Sequence, residues 1–134
     1  MARTQLRKRE RNRSEAKIML KISREMFAAA KRESTISTRV AVVLAQNAII
    51  RVCDALCVNE LGYYIQGQSH NDAVEVLKKL RDGKKLAMTL SNALSDKTTV
   101  GYDIAAVSET RLTKVFRACE NLINEADFRI GKPK

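Results

Sequence analysis

The chain has 134 residues, 45% of them apolar, which suits one domain with a buried core. One Pro and five Gly are too few turn-formers for an all-β chain of many short strands. Twenty-five Lys and Arg against 15 Asp and Glu leave a net charge of +10. No run reaches the roughly 18 consecutive apolar residues of a membrane span. The basic start has no apolar stretch behind it like a signal peptide's, so a cytoplasmic location without a membrane partner is expected.

The charge is unevenly spread. Residues 1–13 carry Arg3, Arg7, Lys8, Arg9, Arg11 and Arg13 against Glu10 alone. Such an arm attracts polyanions by neutralising phosphates and releasing counterions. It can equally serve as a solvated, partly disordered tail that keeps a protein soluble. Near residue 14 the arm gives way to a periodic pattern. The chain therefore divides into a basic arm over 1–13 and a helical bundle domain over 14–130.

Ser14 can cap a first helix over roughly 14–33, with Met19, Ile22, Met26 and Ala29 as its buried stripe. Residues 34–37 form a hinge with cap-forming hydroxyls. A second helix follows over roughly 38–60, apolar nearly all round and hence central, with Gly62 at its C-terminal end. Its β-branched run, residues 40–43, would also suit a strand, but no partner strand is evident. Residues 62–68 read as a loop. Ser69-His70-Asn71-Asp72 is a Ser-x-x-acid helix start close to a capping box. The third helix runs to about Arg81, burying Ala73, Val76, Leu77 and Leu80, and Asp82-Gly83 ends it. A fourth helix over roughly 84–97 buries Leu86, Leu90, Ala93 and Leu94. Residues 98–107 form a loop. Ser108 caps a fifth helix whose stripe is Leu112, Val115, Phe116, Cys119, Leu122, Ile123 and Ala126. The expected fold is all-α, a bundle of about five helices around the second one.

Candidate chemistry is sparse. Cys53, Cys57 and Cys119 contain no Cys-x-x-Cys spacing and sit in apolar surroundings, as small core residues do. On the second helix Asn47, Arg51 and Asp54 fall within about 60° of one another at 100° per residue. Buried polar groups are costly unless paired, so this seam must meet an internal network, water, a ligand or another subunit. His70, the only histidine, either shuttles protons or simply packs at a helix start. No metal is expected, because no second His or acid cluster stands at ligand spacing. No cofactor is expected either, since the phosphate-cradling glycine loops are absent. Lys78, Lys79, Lys84 and Lys85 make a second basic cluster at a helix–helix turn, either a phosphate contact or a solvated corner. Aromatic residues, at 4%, argue against a platform for stacking single-stranded bases.

Gln46-Asn47-Ala48-Ile49-Ile50, Asp54-Ala55-Leu56, Gly62, Ser69-His70, Ala73 and Leu77 resemble the small bacterial HEPN-domain proteins. So does the stretch from Leu94 through Lys97 to Tyr102-Asp103, followed by a long amphipathic helix. The resemblance covers about residues 38–127. It implies a helical bundle, commonly a homodimer, directed at RNA or a nucleotide in a toxin–antitoxin or defence setting. A nucleotidyltransferase or an antitoxin is an implied partner. Ribonucleases of this group are metal-independent and carry Arg, four to six residues, then His. In this chain the corresponding place is Lys97-x4-Tyr102. Lys offsets phosphate charge without the bidentate fork of Arg, and Tyr, with a pKa near 10, is a poor general base. The implied pair is thus degenerate, and with the polar residues read above the candidate catalytic set is Lys97, Tyr102, His70, Asp54 and Asn47. The candidate nucleic-acid contacts, read from charge with the arm outside the resemblance, are Arg7, Lys8, Arg9, Arg11, Arg13, Lys78, Lys79, Lys84 and Lys85. The alternative is a non-catalytic dimeric interaction protein that partners a nucleotidyltransferase or binds nucleic acid through its arm.

Overall fold

In a computed structural model the chain forms the expected all-α bundle. The structure describes residues 8–66, 70–95, 100 and 106–131. Among these, five helices carry the fold: α1 (Ala16–Glu33), α2 (Thr38–Leu61), α3 (His70–Leu77), α4 (Gly83–Leu94) and α5 (Glu109–Ile130). A single 3-10 turn, Arg13–Glu15, leads into α1, and two three-residue strands, β1 (Lys8–Glu10) and β2 (Tyr63–Ile65), pair antiparallel.

The helix ends follow from their residues. Ser37 Oγ accepts from the Val40 amide at 3.2 Å and caps α2. Gly62 closes it at φ 81°, in the left-handed region that glycine enters without a Cβ penalty. Ser108 caps α5 in the same way, accepting from the Arg111 amide at 3.1 Å. The turn between α3 and α4 is tighter than periodicity suggests. The α-helix ends at Leu77, four residues before the expected Arg81, and single-turn bonds follow from Lys79 to Val76 and from Leu80 to Leu77. Gly83 explains the early stop. A Cβ there would lie 2.1 Å from the Leu77 carbonyl oxygen, so only glycine lets the chain fold back so closely. The expected extension of α4 to 97 stops at Leu94, and residues 96–99 lie outside the described residues.

Cross-helix bonds fix the topology. Ser23 Oγ donates to the Ala48 carbonyl at 2.9 Å, so α1 and α2 run antiparallel with residue 23 level with 48. Thr38 Oγ1 donates to Glu109, and Asn59 Nδ2 donates to the Arg129 carbonyl, so α2 and α5 run parallel. Gln46 Nε2 donates to the Ala93 carbonyl at 3.1 Å, while the Arg81 amide donates to Glu60 at 2.7 Å. Helix α4 therefore runs opposite to α2 and, with α3, bridges two parallel helices.

Helix α2 supplies most of the core, with Ala41, Val42, Ala45, Ala48, Ile49, Val52, Leu56 and Val58 at 1% exposure or less. By length and composition it could cross a membrane, but most of it is buried within the bundle. The residues 40–43 are helical. The α1 stripe differs from the expected one. Met19 is buried, but Ile22 is 40% exposed, and the seam passes through Ala16, Leu20, Ser23, Phe27 and Ala30. The cause lies on α2, which presents Ala41, Ala45, Ala48 and Ala55 at helical spacing. Small side chains let the two backbones approach, and a serine that can bond to the Ala48 carbonyl is then accommodated in the seam. Phe27 meets Phe116 of α5 edge-on at 5.3 Å. The expected stripes of α4 and α5 are buried, except that Phe116 is half-buried.

Candidate nucleic-acid interface

The polar residues of α2 fall into two classes. Gln46 is fully buried and held by α4. Asn47, Arg51 and Asp54 are half-buried, as are Val43, Leu44 and Ile50 on the same flank, while Val40 is 42% exposed. The seam read from the sequence thus faces outward and is not sealed inside. Among the described residues Asp54 has no hydrogen-bond or ion-pair partner. Burial pushes its carboxyl up to about 7, against the opposing pull of the Arg51 guanidinium one turn away.

The five nominated catalytic residues are only partly placed. Lys97 and Tyr102 lie outside the described residues, and so does the His70 side chain, although His70 begins α3. Val100 accepts a hydrogen bond from Arg39 at the start of α2. Residues 39 and 54 are separated by roughly 22 Å along the helix axis at 1.5 Å per residue.

The two basic clusters, by contrast, come together. β1 pairs with β2 directly after α2 ends, with Lys8 opposite Ile65, Arg9 opposite Tyr64 and Glu10 opposite Tyr63. The Arg11 amide donates to the Gly62 carbonyl at 3.0 Å. The second half of the arm is therefore docked at the C-terminal end of α2 and is no free tail; Arg7 lies outside the described residues. The turn over residues 78–82 is tied to the same end by the bond from the Arg81 amide to Glu60. Segments about 70 residues apart in the chain share one end of the bundle.

Carboxylates hold some of these cations. Arg11 faces Glu15 at 3.9 Å, Lys78 faces Glu75 at 3.0 Å, and Arg129 is clamped between Glu60 and Glu125 at 3.6 and 2.8 Å. Lys8 sits over the Tyr63 ring at 4.7 Å, and Arg9 Nε donates to Gln66. Arg13, Lys79, Arg81, Lys84 and Lys85 have no carboxylate within ion-pair distance among the described residues. Lys78, Lys84, Lys85 and Arg129 line a groove of about 960 Å³ between the start of α4 and the last turns of α5. A smaller hollow of about 480 Å³ lies beside the docked arm, against Gly62 and Tyr63.

Two features escaped the sequence reading. Three charged residues give β1 no alternation signal, and its partner is a Tyr-Tyr-Ile run inside an apparent loop. Aromatic residues are few, yet two of the three tyrosines stand at the basic end.

Elsewhere the chemistry is quiet. All three cysteines are buried and free; burial pushes the thiols of Cys57 and Cys119 to about 12 and that of Cys53 well above its ordinary value. Such thiols are poor nucleophiles. Among the described residues no group of three His, Cys, Asp or Glu could hold a metal ion. Comparisons with protein-family models, with characterised proteins and with solved structures find no match, so the site is read from its own residues.

Proposed function

We propose that the protein is a HEPN-like module that binds RNA through the end of the bundle where α2 finishes. The observation that carries this reading is the meeting of the docked arm and the 78–85 turn at that end. Surface cations without carboxylate partners are available to neutralise phosphates, and each neutralised phosphate releases counterions. The test is anisotropy of a labelled RNA over a salt series. Removal of residues 1–13, and separately Lys84→Ala with Lys85→Ala, is expected to weaken binding and flatten its salt dependence by about 0.7–0.9 per lost contact. A slope unchanged in both variants overturns the reading.

Cleavage is a separate proposal, since Val100 bonds Arg39 at the start of α2 and the basic end lies where α2 finishes. It would be a metal-independent transphosphorylation in which a 2′-oxygen bonds to the adjacent phosphorus as the 5′-oxygen of the next nucleotide leaves, with Lys97 offsetting phosphate charge and Tyr102 moving a proton. Asp54, roughly 22 Å along α2 from the Arg39 that bonds Val100, is not counted in this step. Cutting of labelled RNA by the wild type that survives both Lys97→Ala and Tyr102→Phe removes these two residues from the chemistry.

A second reading, a homodimeric interaction protein without catalysis, is favoured by the outward flank of α2. Arg51 and Asp54 stand one turn apart on a surface otherwise rich in Val, Leu and Ile. A second copy packed antiparallel would set each Arg51 against the other's Asp54. Charge reversal of Arg51 alone is expected to yield monomers by sedimentation, and reversal of both residues to restore the dimer.

A further inference from the structure

We infer that the β1–β2 ribbon is a base-stacking site, so that the nucleic acid taken at the basic end is single-stranded. This rests on the RNA-binding reading above and adds the class of ligand to it.

The ribbon combines two kinds of side chain that single strands need. Tyr63 and Tyr64 are adjacent, both half-buried with one side packed against the core, and each pairs across the ribbon with a charged residue, Glu10 and Arg9. Side chains alternate between the faces of a strand. Tyr63 therefore shares its face with Lys8 and Glu10, and Tyr64 shares the other with Arg9. Lys8 lies over the Tyr63 ring at 4.7 Å, so a base stacking on that face would displace the lysine, which could then meet the base's own phosphate. Arg9 is braced by Gln66 and keeps its guanidinium on the ribbon. An aromatic ring beside a fixed cation suits a base with its own phosphate, and such stacking tolerates any base.

The hollow next to the ribbon has the opposite charge character. Glu10 and Glu15 line it together with Arg11, Asn12 and Tyr63. Glu15 faces Arg11 at 3.9 Å, which leaves Glu10 to disfavour a phosphate there and to accept hydrogen bonds from the amino groups of a base. The Asn12 Oδ1 atom is already engaged by the Ser14 amide at 3.0 Å and the Ser14 hydroxyl at 2.9 Å. That leaves its NH₂ group as a donor. Phosphates are thus directed to Arg13 and to the lysines of the 78–85 turn, and an unpaired base to the ribbon and hollow. In a duplex the bases are stacked on each other and their pairing edges are occupied, so a duplex can use only the phosphate contacts.

The chain has no Trp, and two of its three Tyr stand on the ribbon, so with Tyr102→Phe in the background the remaining tyrosine emission reports on this site. With the full-length protein at fixed salt, a single-stranded RNA of mixed sequence is expected to bind at least roughly tenfold more tightly than the same sequence as a duplex. It is expected to quench tyrosine emission, whereas heparin, a polyanion without bases, leaves the emission unchanged. Tyr64→Leu should abolish the preference for the single strand, and Tyr64→Phe, which keeps the ring, should retain it. Should Tyr64→Leu fail to fold, the quenching comparison in the Tyr102→Phe background and Tyr64→Phe decide the matter alone. Equal binding of single strand and duplex, with the Lys84 and Lys85 dependence intact, overturns the stacking site and leaves the basic interface standing. Absence of binding to either RNA overturns both.

Discussion

The inner and outer flanks of α2 differ in what a polar side chain does there. Inside, Gln46 and, on α1, Ser23 are fully buried, and each donates to a backbone carbonyl of a neighbouring helix. They act as structural pins. Outside, Asn47 directly follows Gln46 in the chain, yet it and Asp54 remain half-open; burial raises the Asp54 carboxyl to about 7, and among the described residues it has no hydrogen-bond or ion-pair partner. One residue step on a helix, about 100°, separates a residue that specifies packing from one that is free to meet something else.

Four substitutions sharpen or break this contrast. The largest effect is expected on the inner flank. Leu56, 1% exposed, should lose about 2–5 kcal/mol of stability as Leu56→Ala, read by urea unfolding at neutral pH. A cost below about 1 kcal/mol would show that the core is looser than its burial implies.

The next is expected at Asp54 and depends on pH. Its carboxyl titrates near 7 in the folded chain and near 3.9 when unfolded. Between those values the native state keeps a proton that the unfolded chain has released. Stability is therefore complete below about pH 4 and is lost as pH rises toward 7. Asp54→Asn should accordingly stabilise the protein by about 2 kcal/mol at about pH 8, roughly half the full conversion because the group touches water, and have little effect near pH 3.5. Equal effects at both pH values would show that the carboxyl is solvated like any surface aspartate.

The smallest pair of effects compares the flanks directly. Ser23→Ala removes a buried hydroxyl that bonds α1 to α2 and is expected to cost about 1 kcal/mol. Asn47→Ala should stay within about 0.5 kcal/mol. Thermal unfolding of the two variants in one buffer gives the comparison, and the reverse order would refute the assignment of inside and outside.

Much of the fold was legible because long helices carry redundant signals. The Ser37 and Ser108 caps, Gly62 at the end of α2 and the α5 stripe all stand where periodicity and capping chemistry put them. The errors came from short-range geometry that periodicity does not encode. The Ser23 seam depends on small residues of another helix. The early end of α3 depends on the backbone approach at Gly83. The β1–β2 pair joins two triplets with no alternation to read. For the site, the sequence listed the basic residues correctly as two clusters, but their shared location depends on Glu60 and Gly62, neither of which carries a nucleic-acid signature. Angular spacing put Asn47, Arg51 and Asp54 on one stripe but left open whether it met an internal network or the outside, which depends on where the other helices pack.

The parallel run of α2 and α5 bears on how the molecule assembles. The α1–α2 hairpin closes a short connection, so it can form early and locally. The side of α2 that α5 covers, by contrast, waits until α3 and α4 have been made and the chain has crossed back over the bundle. During that interval the most apolar helix of the protein is exposed on a half-built scaffold, a surface open to aggregation or chaperone capture. Slowing synthesis between α2 and α5 would lengthen that exposure, and the yield of soluble protein would register it.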